Sequence, residues 1–140
     1  MSHHLLAKTH TDGGARGNPG PAGIGAVVDL PEKGERHEFK EYIGVGTNNQ
    51  AEYKALLLAL EKAAHLGATE VECRLDSELV VKQMKGEYRV KDAELGKLYI
   101  KIHNVITTSF KKVTFIHVRR EFNKDADRLV NEAIDGALSR

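Results

Sequence analysis

Tryptophan is absent from this 140-residue chain, cysteine occurs once and proline three times. A single thiol, Cys73, cannot close an internal disulfide and lacks the companions of a zinc knuckle. It alternates with charged residues in Val71-Glu72-Cys73-Arg74-Leu75, the setting of a small core residue. No apolar run approaches the roughly 18 residues of a membrane span. Met1–His10 has neither the basic start nor the apolar stretch of a secretion signal. A soluble, cytoplasmic, monomeric protein with no membrane partner is expected. Low-complexity tracts, internal repeats and linker-like stretches are also missing, so residues 1–140 read as one domain, long enough to build a core without staples. Nor is there a Ser-His-Asp or Cys-His arrangement suited to nucleophilic catalysis.

An excess of either charge is lacking too, since 21 Lys/Arg oppose 20 Asp/Glu. The distribution is uneven, however. Residues 1–81 carry 8 basic and 12 acidic side chains, whereas residues 82–128 carry 12 basic and 6 acidic ones. A cationic region suits a polyanion and a separate acidic region suits a cation site, although solvated helix faces give the same pattern.

What is present is an ordered alternation of patterns. Residues 5–12 read as a strand ending at Gly13-Gly14, followed by strands over Gly23–Leu30 and Glu35–Ile43 around the turn chemistry of Pro31-Glu32-Lys33-Gly34. Asn48-Asn49 offers an N-cap to a helix that runs from Ala51 to Leu66 and stops at Gly67. Glu70–Leu75 alternates charged and apolar residues, placing Val71, Cys73 and Leu75 on one side of a half-covered strand. Ser77–Met84 reads as a short helix ended by Gly86. Ala93–Thr108 is a longer one, with Leu95, Leu98, Tyr99, Ile102, Val105 and Ile106 on one face. Val113–Val118 is a last strand, and Asn123 caps a last helix with the stripe Ala126, Leu129, Val130, Ala133 and Ala137. The order βββαβααβα predicts a mixed sheet with helices on its faces.

Four acids stand at the ends of these elements. Asp12 and Asp76 close strands, and Glu52 and Asp127 lie in the first turns of helices. Each alone has a structural explanation, as a turn residue or as a partner of a helix dipole. Together they point elsewhere, because open α/β sheets bind ligands at the carboxyl ends of parallel strands. Asp12 and Asp76 would meet there if their strands are neighbours, which a right-handed crossover through the first helix permits. Carboxylates gathered there repel one another unless a cation neutralises them, and oxygen-only ligands select Mg²⁺ or Mn²⁺.

Thr11-Asp12-Gly13-Gly14, continuing through Gly17-Asn18-Pro19-Gly20-Pro21-Ala22-Gly23, resembles the first motif of type 1 ribonucleases H. Thr47-Asn48-Asn49-Gln50-Ala51-Glu52 resembles the second, Asp76-Ser77 the third, and Asn123-Lys124-Asp125-Ala126-Asp127-Arg128-Leu129 the fourth. The likeness runs from about Ala7 to Ala137, with the motifs in order. It implies an α/β fold with a five-stranded mixed sheet, in the order 3-2-1-4-5, and helices on both faces. It also implies an endonuclease that cuts the RNA strand of an RNA–DNA hybrid with two Mg²⁺ ions, Mn²⁺ substituting, to leave 5′-phosphate and 3′-hydroxyl ends. By resemblance Asp12, Glu52, Asp76 and Asp127 are the catalytic metal ligands, and Gly13, Gly14, Asn18, Thr47, Asn49 and Gln50 meet the substrate. A double-stranded-RNA-cleaving relative and a non-catalytic hybrid-binding domain are the alternatives on the same fold.

The chain departs from the family pattern in three places. The loop before the last helix, Val118-Arg119-Arg120-Glu121-Phe122-Asn123, lacks the histidine that many members carry, so Arg120 or Glu121 is expected to fill part of its role. His117 falls before this loop, within the last strand. Glu78 replaces a common glutamine, and a carboxylate cannot donate the same contact. Residues 84–94 are too short for an extra basic lobe, leaving Lys82, Lys85, Arg89 and Lys91 to track phosphates, with steep salt dependence.

Overall fold

The computed structural model describes residues 3–139. Strands β1 (Leu6–Ala15), β2 (Gly20–Leu30) and β3 (Glu35–Gly46) form an antiparallel meander. Helix α1 (Asn48–His65) leads to β4 (Glu70–Leu75). Helices α2 (Glu78–Met84) and α3 (Ala93–Ser109) lead to β5 (Lys112–His117), and α4 (Lys124–Leu138) follows a 3-10 turn at Arg120–Phe122. The sheet order is β3-β2-β1-β4-β5, with β1 parallel to β4 and β4 parallel to β5. The expected fold class and strand order are both found.

Alternation along the strands divides the sheet's two faces. Ala7, Val71, Cys73 and Leu75 turn one way and are buried with Tyr53, Leu56 and Leu60 of α1, Val80 of α2 and Ile102 of α3. Each large side chain withdrawn from water there contributes roughly 1.5–3 kcal/mol. Burial pushes the Cys73 thiol up to about 12, which leaves it an inert core residue as expected. The opposite face is covered by α4, whose Ala126, Leu129, Val130, Ala133 and Ile134 are buried. Among the described residues no helix is long and apolar enough to cross a membrane.

The structure corrects several boundaries. β1 does not end at Gly13-Gly14 but runs on to Ala15, because both glycines pair with β2, opposite Ile24 and Gly23. β2 starts at Gly20 and β3 continues to Gly46, so the meander is longer than its apolar pattern suggests. Helix α1 is not capped by Asn48 or Asn49. Thr47 is the cap, its hydroxyl accepting from Gln50 N while Gln50 Oε1 accepts from Thr47 N, a reciprocal capping box. Ser77 is the cap of α2 rather than its first residue. Asn123 occupies the cap position of α4, yet its side chain makes no cap hydrogen bond.

Candidate active site

Pairing registers set the direction of each acid. Asp12 lies opposite Gly25, and a Cβ on Gly25 would come within 2.5 Å of Ala126 O in α4. Asp12 therefore points to the α4 face. Thr11 pairs with Leu75 in the parallel ladder, so Asp12 and Asp76 extend side by side one residue beyond it. Glu52 comes from the other face. Helix α1 lies so close to β1 that a Cβ on Gly13 would stand 2.2 Å from the carbonyl carbon of Ala51, a distance that only glycine permits. The Gly13 N–H donates to Glu52 Oε1 and to Asp12 Oδ1, each at 3.0 Å, and so stitches the two carboxylates together.

Asp12, Glu52 and Asp76 each offer an oxygen within 4.8 Å of the other two. Asp127, exposed in the first turn of α4, joins them in the wall of an open cleft of about 420 Å³. Among the described residues, none of the four takes part in a salt bridge. Burial raises Asp12 to about 6, a hydrogen bond with Glu52 opposing the shift and the charges of Asp76 and Asp127 adding to it. Burial likewise pushes Glu52 well above the usual carboxylate range, with Asp12 reinforcing it. Glu52 Oε2 and Asp76 Oδ2 are buried with no hydrogen-bond partner. A buried oxygen left in this way costs about 1–3 kcal/mol, more when charged. Repelling acids with unpartnered oxygens, and no nitrogen or sulfur donor among them, are the donor set of a hard divalent cation.

The other expected site residues divide into two groups. Gly13, Gly14 and Asn49 line the cleft, but Asn18, Thr47 and Gln50 do not. Thr47 and Gln50 are occupied with the helix cap, and Asn18 Oδ1 accepts from Asn48 N at 3.0 Å. Of the two loop candidates, Arg120 lines the cleft. Glu121 lies 3.4 Å from Arg119 and borders a separate hollow of about 200 Å³ with His10, Arg36 and Phe122. Glu78 is exposed and paired with Lys82 at 3.0 Å, so it does not join the acid cluster. His117 is exposed at the end of β5 and lies outside the cleft. Sequence reasoning missed Arg16, Asn48, Val130 and Asn131 in the cleft wall. Helical spacing carried the signal for the last two, which fall three and four residues after Asp127 and so share its face.

A model of the reverse transcriptase-like family matches residues 10–133. In structure, the chain superimposes on a ribonuclease H1 called LC11, solved in complex with RNA/DNA hybrid. The TM-score is 0.87 and the identity 50%, over 96% of this chain and 99% of that one. The chain belongs to the ribonuclease H-like family. Other members include the bifunctional protein Rv2228c of Mycobacterium tuberculosis, 46% identical over 90% of this chain and 35% of that protein. Ribonuclease HI of Halobacterium salinarum is 44% identical over 90% of this chain and 63% of its own length. The chain thus spans about a third of the length of the mycobacterial relative and just under two thirds of the archaeal one. Within this ribonuclease H-like chain, the matched segment contains all four acids of the cleft.

Proposed function

We propose that this chain is a cytoplasmic endoribonuclease that hydrolyses the RNA strand of RNA–DNA hybrids, acting as a single-domain monomer. The observation that carries the reading is the convergence of Asp12, Glu52 and Asp76, with two buried oxygens left unpartnered and Asp127 facing them. Asp12, Glu52, Asp76 and Asp127 would hold two Mg²⁺ ions, with Mn²⁺ as a substitute. When bound, these ions supply an activated water and offset the charge on the phosphate under attack. No side chain needs to act as a covalent nucleophile, and the products carry 5′-phosphate and 3′-hydroxyl ends.

The chain's own groups provide the fit. Peptide groups of Gly13 and Gly14 meet the 2′-hydroxyl, which distinguishes RNA from DNA in a wide minor groove. Asn49 presents donors and acceptors to sugar and base edges, held in place by the Thr47–Gln50 cap that brackets it in the same turn. Asn18 supports the same edge through its contact with Asn48. Arg120 adds a fixed positive charge at the cleft wall, suited to an oxygen of the scissile phosphate. Glu121 is paired with Arg119 outside the cleft, so Arg120 is the loop residue that takes the expected role. Lys85, Arg89 and Lys91 follow the phosphates of the DNA strand.

The test offers labelled RNA–DNA hybrid, double-stranded RNA and double-stranded DNA in Mg²⁺, Mn²⁺ or chelator. Metal-dependent cutting of the RNA strand in the hybrid is expected, with both DNA strands left whole. Faster cutting of double-stranded RNA than of hybrid moves the reading to a double-stranded-RNA nuclease. Tight hybrid binding without cleavage in either metal identifies a non-catalytic binder.

A further inference from the structure

We infer that Asn123 is a positioning residue that fixes the separation of Asp12 and Asp127 and, through it, the affinity of the acid cluster for divalent cations. This rests on the reading of that cluster as a cation site. Asn123 is 1% exposed, among the most buried polar residues of the chain. It stands where a helix cap is expected, yet its side chain does not cap α4. Instead its Nδ2–H donates to the carbonyl oxygen of Thr11 at 2.8 Å, a bond that spans 112 residues and is itself buried. Thr11 is the residue immediately before Asp12.

Its backbone binds the two remaining parts of the site. The Asn123 carbonyl accepts from Asp127 N at 3.2 Å, which sets the first turn of α4. The Asn123 N–H donates to Arg120 O at 2.9 Å, which closes the turn that carries Arg120 into the cleft wall. The side chain and the two backbone groups of one residue thus tie β1, α4 and the loop at the points where each delivers a charged group. With φ −126° and ψ 27°, the residue lies outside the helix it precedes, and this frees its amide to reach across to β1. A shorter side chain cannot span to Thr11, and an ionised carboxylate has no hydrogen to donate.

Two variants and one control test the assignment. Asn123→Ala removes the donor, and Asn123→Asp preserves the shape while replacing the donor with a charge. Leu60→Ala opens a cavity in the α1 core and lowers stability without touching the site. Mn²⁺ affinity is measured by titration calorimetry, alongside amide hydrogen exchange at Gly13 and Asp127. Both Asn123 variants are expected to bind Mn²⁺ about 10-fold or more weakly. They should exchange faster at those two amides and lose kcat on hybrid with little change in KM. Leu60→Ala keeps wild-type Mn²⁺ affinity. Wild-type affinity and exchange in Asn123→Ala overturn the assignment, as does an equal loss of affinity in Leu60→Ala. Failure of the unaltered protein to bind Mn²⁺ defeats the cation-site reading itself, and the exchange rates then still decide whether Asn123 fixes the two segments.

Discussion

Asp125 and Asp127 stand two residues apart at the start of α4, and the fold treats them in opposite ways. Asp125 is paired with Arg36, which also holds Asp29 at 3.2 Å. The same flank continues with Arg128 on Glu38 at 2.7 Å and Lys40 on Glu132 at 3.0 Å. Every acid of this ladder has a cation, and most are open to water. On the other side of α4's first turn, Asp127 faces Asp12, Glu52 and Asp76, and none of these is salt-bridged among the described residues. Basic side chains pair with the acids of the flank, and among the described residues none pairs with the four cleft acids. Acids needed only for structure are neutralised from within, whereas the cleft acids are left for something from outside.

The comparison breaks most sharply at Asp12. Asp12→Asn removes charge with little change of volume, so cleavage of hybrid should fall at least about 100-fold, beyond the usual cost of losing a mere supporting partner. The metal-free variant should melt higher than the parent, since repulsion within the cluster is relieved. Retained cleavage would place the cation elsewhere.

Gly13→Ala is the next largest. A Cβ there meets the α1 backbone at 2.2 Å, and backbone does not give way as a flexible side chain does. A loss of roughly 1–3 kcal/mol is expected in denaturant unfolding, with Glu52 displaced and cleavage reduced. Unchanged stability would show that α1 is free to move away from β1.

The third prediction concerns pH. A carboxyl whose pKa rises on folding stabilises the folded chain while it is protonated. For Asp12 that contribution is complete below the ordinary value of 3.8 and is lost as pH climbs through about 6. Metal-free protein should therefore lose on the order of 2 kcal/mol between pH 4 and pH 7 relative to Asp12→Asn. Mg²⁺ at pH 7.5 should return part of it, because a ligand that binds only the folded chain stabilises it. Parallel pH profiles for the two proteins would contradict this.

The smallest effect belongs to the flank. Arg36→Ala should cost about 1 kcal/mol or less and leave Mn²⁺ affinity unaltered, as expected for a mostly exposed pair. A large loss of metal affinity would show that the ladder also sets the cleft geometry.

Much of this arrangement was legible in the sequence, for reasons particular to each element. The alternation of Glu70–Leu75 gives the strand to the residue, and Gly67, with its positive φ, marks the end of α1. The four acids stood out because the sequence pattern set each at an expected element boundary. That holds for Asp76 and Asp127, whereas Asp12 lies inside the longer β1 and Glu52 beyond the first turn of α1. Side chains with two local uses were not readable in the same way. Asn48, Asn49 and Asn123 each look like helix caps, but Thr47 caps α1 and Asn123 turns to Thr11 instead. Gly13-Gly14 looks like a turn because local pattern contains nothing of the helix that presses on it from 39 residues away. Arg120 and Glu121 were equivalent in sequence, and the 3-10 turn alone separates one into the cleft from the other outside it.

The most direct measurement is anomalous scattering from crystals of the protein soaked in Mn²⁺ at neutral pH. The account predicts Mn²⁺ among the carboxylates of Asp12, Glu52, Asp76 and Asp127, and none on the Asp29–Arg36–Asp125 flank. Manganese on the flank with an empty cleft, or none at either place, would contradict it.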